Sequence, residues 1–251
     1  MDWLNQYAWI GALLFARLGA VLMIAPGWGE QTAPATMRLG VAVLVTAVLA
    51  PNLATHAPAM PRDIVGAIPL IITEVIIGLL LGAGARLMMS ALQVAGATAG
   101  LASGLGFAQQ VDPIASQPAA IFSGFFSMMG VVLIMSAGLH RVMIQAAADS
   151  YAIFPPGAFP PIGDASEFII GSVSTAFRLG IQIAAPVLIF SLIFNISLGL
   201  VSRLIPQVQI FMTAMPLSVM LGLAVTALGL GGGLMVWLEE MNRQMHVFTV
   251  K

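Results

Sequence analysis

Four charged side chains stand inside long apolar runs of this 251-residue chain: Arg17, Glu74, Arg86 and Arg178. A charge at membrane depth is costly and by default marks function or a specific partner. Glu74 and Arg86 are twelve positions apart, so on one helix they stand about 18 Å from each other and cannot pair. Each therefore needs a partner on another helix or subunit, or water. Two chemistries fit: a hydrated path or proton site, or a structural ion pair between helices with snorkelling arginines. The second is the preferred reading.

Nucleophilic and metal chemistry have little to work with. Gly100-Leu-Ala-Ser-Gly104 superficially follows an intramembrane serine-protease motif, but its spacing differs by one residue and no histidine is placed to pair with Ser103. His56, His140 and His246 lie near segment ends, none with a second ligand at metal spacing. There is no cysteine and no phosphate-cradling glycine loop followed by lysine. The expectation is no catalytic residue, no metal and no cofactor.

The most polar internal stretch is Ser103–Pro118, which carries Gln109, Gln110, Asp112, Ser116 and Gln117. Pro113 and Pro118 disfavour helix at Asp112 and Gln117, and Gly104 and Gly106 loosen the backbone before Phe107. A non-helical loop between two membrane helices is expected. Such backbone is tolerated at membrane depth only where protein covers it or it lines a water-filled cavity, so a gate or plug is the working reading.

These residues must be positioned by membrane helices. The chain is 59% hydrophobic and 8% charged, against about 25% charged in soluble domains, which reads as a polytopic membrane protein. A net charge of −1 argues against nucleic acid, and no basic cluster points to a lipid headgroup site. The N-terminus lacks the basic n-region of a signal peptide. Six apolar segments are read, near 7–25, 37–53, 66–101, 119–139, 168–204 and 216–237, with a polar segment at 140–167. The third, at about 50 Å of helix, exceeds a bilayer core of about 30 Å. It must tilt, project or break, with Gly82 and Gly84 as the expected breaks, and Pro186 should kink the fifth. Gly96, Gly100 and Gly104, with Gly78 and Gly82, form faces for close helix approach. Methionines such as Met88, Met89, Met128 and Met220 suit a seal around a variable substrate or, more ordinarily, gap filling.

Several motifs together resemble the FliR family of flagellar type III secretion export-gate subunits, over essentially the whole chain. They are Arg17-Leu-Gly-Ala, Ala25-Pro-Gly-Trp-Gly-Glu, Pro34-Ala-Thr-Met-Arg-Leu-Gly40, Glu74-Val-Ile-Ile-Gly78, Gly104-Leu-Gly-Phe-Ala-Gln-Gln-Val-Asp-Pro113, Gly138-Leu-His-Arg141, Phe154-Pro-Pro-Gly157 and Leu200-Val-Ser-Arg-Leu-Ile-Pro-Gln-Val-Gln-Ile-Phe211. The resemblance implies an all-α, non-enzymatic membrane protein of about six long, kinked helices in a helical export-gate assembly. Residues 1–251 would form one integral domain, FliP-like to about 167 and a FliQ-like helical hairpin from about 168. The implied partners are FliP, FliQ, FlhB and unfolded flagellar substrates in transit, in the bacterial inner membrane and flagellar basal body. The implied plug carries over to Gly106, Phe107, Gln109, Gln110, Val111, Asp112, Pro113, Ile114 and Gln117. Arg203, Pro206, Gln207 and Gln209 would face the cytoplasm. A four-to-two arginine and lysine count instead puts the termini there, and the resemblance outweighs so small a count. The competing class is a secondary transporter or channel, with a midplane site built from broken helices and charges such as Glu74.

Overall fold

The computed structural model describes residues 2–29, 34–53, 58–61, 63–105, 118–204 and 210–249. Among these the fold is all-α. Its helices are α1 (Asp2–Ile24), α2 (Ala35–Leu53), α3 (Ile64–Gly100), α4 (Pro118–Ser136), α5 (Leu139–Ile153), α6 (Ile162–Leu204) and α7 (Ile210–Met245). A π-helical turn, Leu101–Leu105, extends α3, and a 3-10 turn, His246–Phe248, follows α7.

Among the described residues α1, α3, α6 and α7 are long and apolar enough to cross a membrane, and α4 with α5 passes only as a pair bent by 71°. The six apolar segments map onto α1, α2, α3, α4, α6 and α7. Two details differ from the sequence reading. First, α3 runs unbroken through Gly82 and Gly84. Both glycines are buried, and Gly82 lies against Val21 and Ile24 of α1, so they serve close packing rather than a break. Second, the polar segment after residue 139 contains α5. That helix buries Leu139, Met143, Ala146, Ala147, Ser150 and Tyr151, a three-and-four spacing on one face. A window of membrane length averages this stripe with His140, Arg141 and Asp149 and so misses it. Gly138, at φ 76°, makes the corner before α5, a left-handed turn that costs glycine little.

The residues fall into two compact units. The first comprises Met1–Met88, Val131–Val173 and Glu240–Lys251. In it Ile10 and Leu14 of α1 pack with Leu53 of α2 and Tyr151 of α5, ringed by Leu49, Ala50 and Ala148. The Phe168 and Phe248 rings meet edge to face at 5.0 Å, and the Gln244 side-chain amide donates to Ser172 Oγ at 2.5 Å.

The second unit comprises Met89–Gly130 and Ser174–Glu239. Its buried side chains include Met89, Leu92, Phe126, Leu179, Ile183, Leu234 and Trp237. Pro186 lies within α6, where Gly229 of α7 packs on its ring and Gly233 packs on Ile183. Outward, α6 exposes Ile189, Leu192, Ile193, Ile196 and Leu200. An apolar face of that extent fits a hydrocarbon or protein surround rather than water. Met88 and Met89 are buried, whereas Met128 and Met220 are exposed.

Candidate functional site: the base of the central loop and a buried ion pair

The expected plug residues Gly106, Phe107, Gln109, Gln110, Val111, Asp112, Pro113, Ile114 and Gln117 lie outside the described residues. The structure does describe the stems on either side of them. Beyond α3 the turn Leu101–Leu105 brings Gly104 to φ 90° and ψ 0°, a backbone conformation that side chains other than glycine's strain to adopt. Ser103 and Gly104 are buried, and the Ser103 hydroxyl donates to the Gly100 carbonyl at 3.0 Å. A Cβ at Gly104 would stand 3.0 Å from Ser218 Oγ, and one at Gly222 would stand 2.5 Å from Ser103 Cβ. The turn beyond α3 is therefore seated closely on α7, with no room for a methyl group at Gly222 and little at Gly104.

The second stem, α4, is held in the same way. A Cβ at Gly96 would meet the Phe122 carbonyl and Ser123 Cα at 2.7 Å, and Ser123 Oγ donates to the Gln93 carbonyl at 3.1 Å. Gly96 and Gly100 share one side of α3, one turn apart; Gly96 seats α3 against α4, and Gly104, in the turn beyond, lies against α7. Ser218 and Gly222 were not singled out from the sequence. Their own one-turn spacing on α7 is the signal that could have found them.

In the first unit, Arg17 of α1 and Glu74 of α3 form a forked ion pair: Nε donates to Oε2 at 2.7 Å and Nη2 to Oε1 at 3.1 Å. Both side chains are 0% exposed. Arg17 Nη1 also donates to Ser150 Oγ at 3.1 Å, and Nη2 to the Phe154 carbonyl at 2.9 Å. The Gly157 amide donates to Glu74 Oε1 at 3.4 Å, and the Tyr151 ring lies 3.8 Å below the guanidinium carbon.

The sequence brings the pair together through Gly78. It lies one turn beyond Glu74 on the same face of α3 and touches the Arg17 carbonyl and Ala20 Cβ. With the helix backbones in contact, a long and a medium side chain meet without stretching. Burying two charges is tolerable because the fork is bidentate and the remaining polar atoms are mostly satisfied. The cluster also grips both ends of the Phe154-Pro-Pro-Gly157 turn, by the Phe154 carbonyl and the Gly157 amide.

The other charged candidates lie apart in the chain. Arg86 is half-buried on α3 and Arg178 is exposed on α6, and each has an interaction partner. Arg203 is exposed near the end of α6, whereas Pro206, Gln207 and Gln209 lie outside the described residues. No group of three or more potential metal ligands gathers among the described residues.

Residues 8–244 match the model of the family described as bacterial export proteins, family 1. The chain belongs to that family. It is 41% identical over 241 residues to the flagellar biosynthetic protein FliR of Caulobacter vibrioides, covering 96% of each chain. The protein of the same name from Aquifex aeolicus is 33% identical over 219 residues, 87% of this chain and 84% of its own. That from Escherichia coli K12 is 30% identical over 227 residues, 90% and 85% respectively. The family is one of flagellar biosynthesis and protein export, and the apolar helices fit a multi-pass membrane protein.

Proposed function

We propose that the chain is a non-enzymatic structural and gating subunit of the flagellar type III protein export gate, forming part of the pore wall and supplying its plug from residues 106–117. The carrying observation is the base of that loop. Ser103, Gly104, Ser218 and Gly222 leave no slack between α3 and α7, and Gly96 seats α4 on α3. A polar, proline-containing loop on fixed stems can hold one position across a pore. Slack stems would let it wander.

In this reading residues 1–167 form the FliP-like part and 168–251 the FliQ-like hairpin, and the subunit joins FliP, FliQ and FlhB in the bacterial inner membrane at the flagellar basal body. Unfolded flagellar subunits pass through the assembly. The loop of Arg203, Pro206, Gln207 and Gln209 faces the cytoplasm. The outward apolar face of α6 supports contact with lipid or sister subunits. A transporter built on Glu74 is disfavoured, because both carboxylate oxygens already accept bonds from Arg17. Copurification tests the assignment. Stable association with FliP and FliQ is expected, whereas a chain that isolates only as a monomer or homo-oligomer and carries a small solute would overturn it.

A further inference from the structure

At the start of α6, an apolar cavity of about 240 Å³ opens in the first unit. Its walls include Leu80, Phe154, Pro161, Phe168 and Val247, and Asp164 is the one acidic residue among the described residues that line it. A cavity of about 150 Å³ lined by aliphatic and aromatic side chains is enough to hold benzene, so this one has room for a bicyclic aromatic ring. Its walls are fixed without a ligand. The Phe154 carbonyl is held by the buried Arg17, the proline ring of Pro161 locks its own φ, and Phe168 is braced edge to face by Phe248. A preformed site avoids much of the ordering cost of binding.

Asp164 lies in the first turn of α6 and is exposed. No described residue pairs with its carboxylate. We infer that this cavity is a binding site for a small hydrophobic amine, with the apolar part between Phe154 and Phe168 and the cation on Asp164. An aromatic ring on a short alkylammonium arm matches both the volume and the single acidic side chain, whereas an anion or a polar sugar matches neither. The inference stands independently of the export-gate reading.

The test uses the full-length chain in lipid nanodiscs, with tryptamine and its neutral counterpart indole as probes, read by saturation-transfer NMR. Tryptamine should bind about fivefold more tightly than indole, the effect of one partly exposed ion pair. Asp164→Asn should reduce tryptamine to the level of indole and leave indole unchanged. Ala165→Trp should fill the cavity and abolish both signals. Val247→Trp, at an exposed position on the rim, should do the same without burdening the fold. The inference is overturned if neither probe binds wild type above the two tryptophan variants. It is equally overturned if both bind alike and Asp164→Asn changes nothing, the behaviour of a cavity filled by whatever acyl chain is at hand.

Discussion

Replacing Arg17 by methionine removes the guanidinium from the buried cluster and leaves Glu74, 0% exposed, with the Gly157 amide at 3.4 Å as its one partner among the described residues. Breaking a buried pair by deleting one partner costs about 3–5 kcal/mol, because the remaining charge stays desolvated. Glu74→Leu should cost a similar amount, because the Arg17 charge then stays buried with only neutral partners. Arg17→Met combined with Glu74→Leu leaves no buried charge. It forfeits the bonds to Ser150, Phe154 and Gly157, at about 1 kcal/mol each, and the stacking on Tyr151, at about 1 kcal/mol, offset in part because two charges no longer have to be buried. The double variant should therefore lose about 3 kcal/mol, no more than either single variant and well short of their sum. Denaturant unfolding in mixed micelles, analysed as a double-mutant cycle, measures this directly. If the two single losses add in the double variant to within about 0.5 kcal/mol, the residues are energetically independent and do not act as one structural unit.

Further substitutions probe the loop base and the cluster. Gly222→Ala sets a methyl group against Ser103 Cβ and should lower swimming in soft agar and destabilise the chain by about 1–3 kcal/mol. Adding Ser103→Gly should restore only part of both, because the Ser103 Cα still stands 2.8 Å from the new methyl group. Gly104→Ala should cost about 1–2 kcal/mol because φ is positive there. Gly124→Ala, within α4 and with nothing inside 4 Å of the new methyl, should be neutral or stabilising by up to about 1 kcal/mol. Comparing unfolding midpoints of the two alanine variants checks the contrast. The buried Tyr151 hydroxyl has no hydrogen-bond partner among the described residues while its ring carries Arg17, so Tyr151→Phe should keep stability within about 0.5 kcal/mol. Tyr151→Leu should lose about 1–2 kcal/mol in the same assay.

Much of the fold was legible from apolar run length, because a segment that must satisfy its backbone inside a membrane has little choice but helix. What run length could not show was α5, whose face alternates on a scale shorter than a membrane span, and the bend of 71° at Gly138. Sequence spacing excluded a pair between Glu74 and Arg86 but could not name Arg17 as the partner. That choice depends on Gly78 letting α1 and α3 touch, a three-dimensional fact. The glycine faces were visible as four-residue repeats, yet the length of the third segment suggested breaks at Gly82 and Gly84, since a missing side chain serves close packing and weak helix alike. Ser218 and Gly222 passed unremarked because one small residue a turn from another is ordinary in apolar helices until its neighbour is known.

An export-gate subunit with this plug requires that residues 106–117 close a pore whose walls remain assembled without them. Ion conductance of purified assemblies in planar bilayers, with residues 106–117 replaced by a short Gly/Ser linker, tests this most directly. The linker variant should copurify with its partners at the wild-type ratio and conduct ions steadily where the wild type is closed. An assembled linker variant with wild-type conductance would contradict the claim.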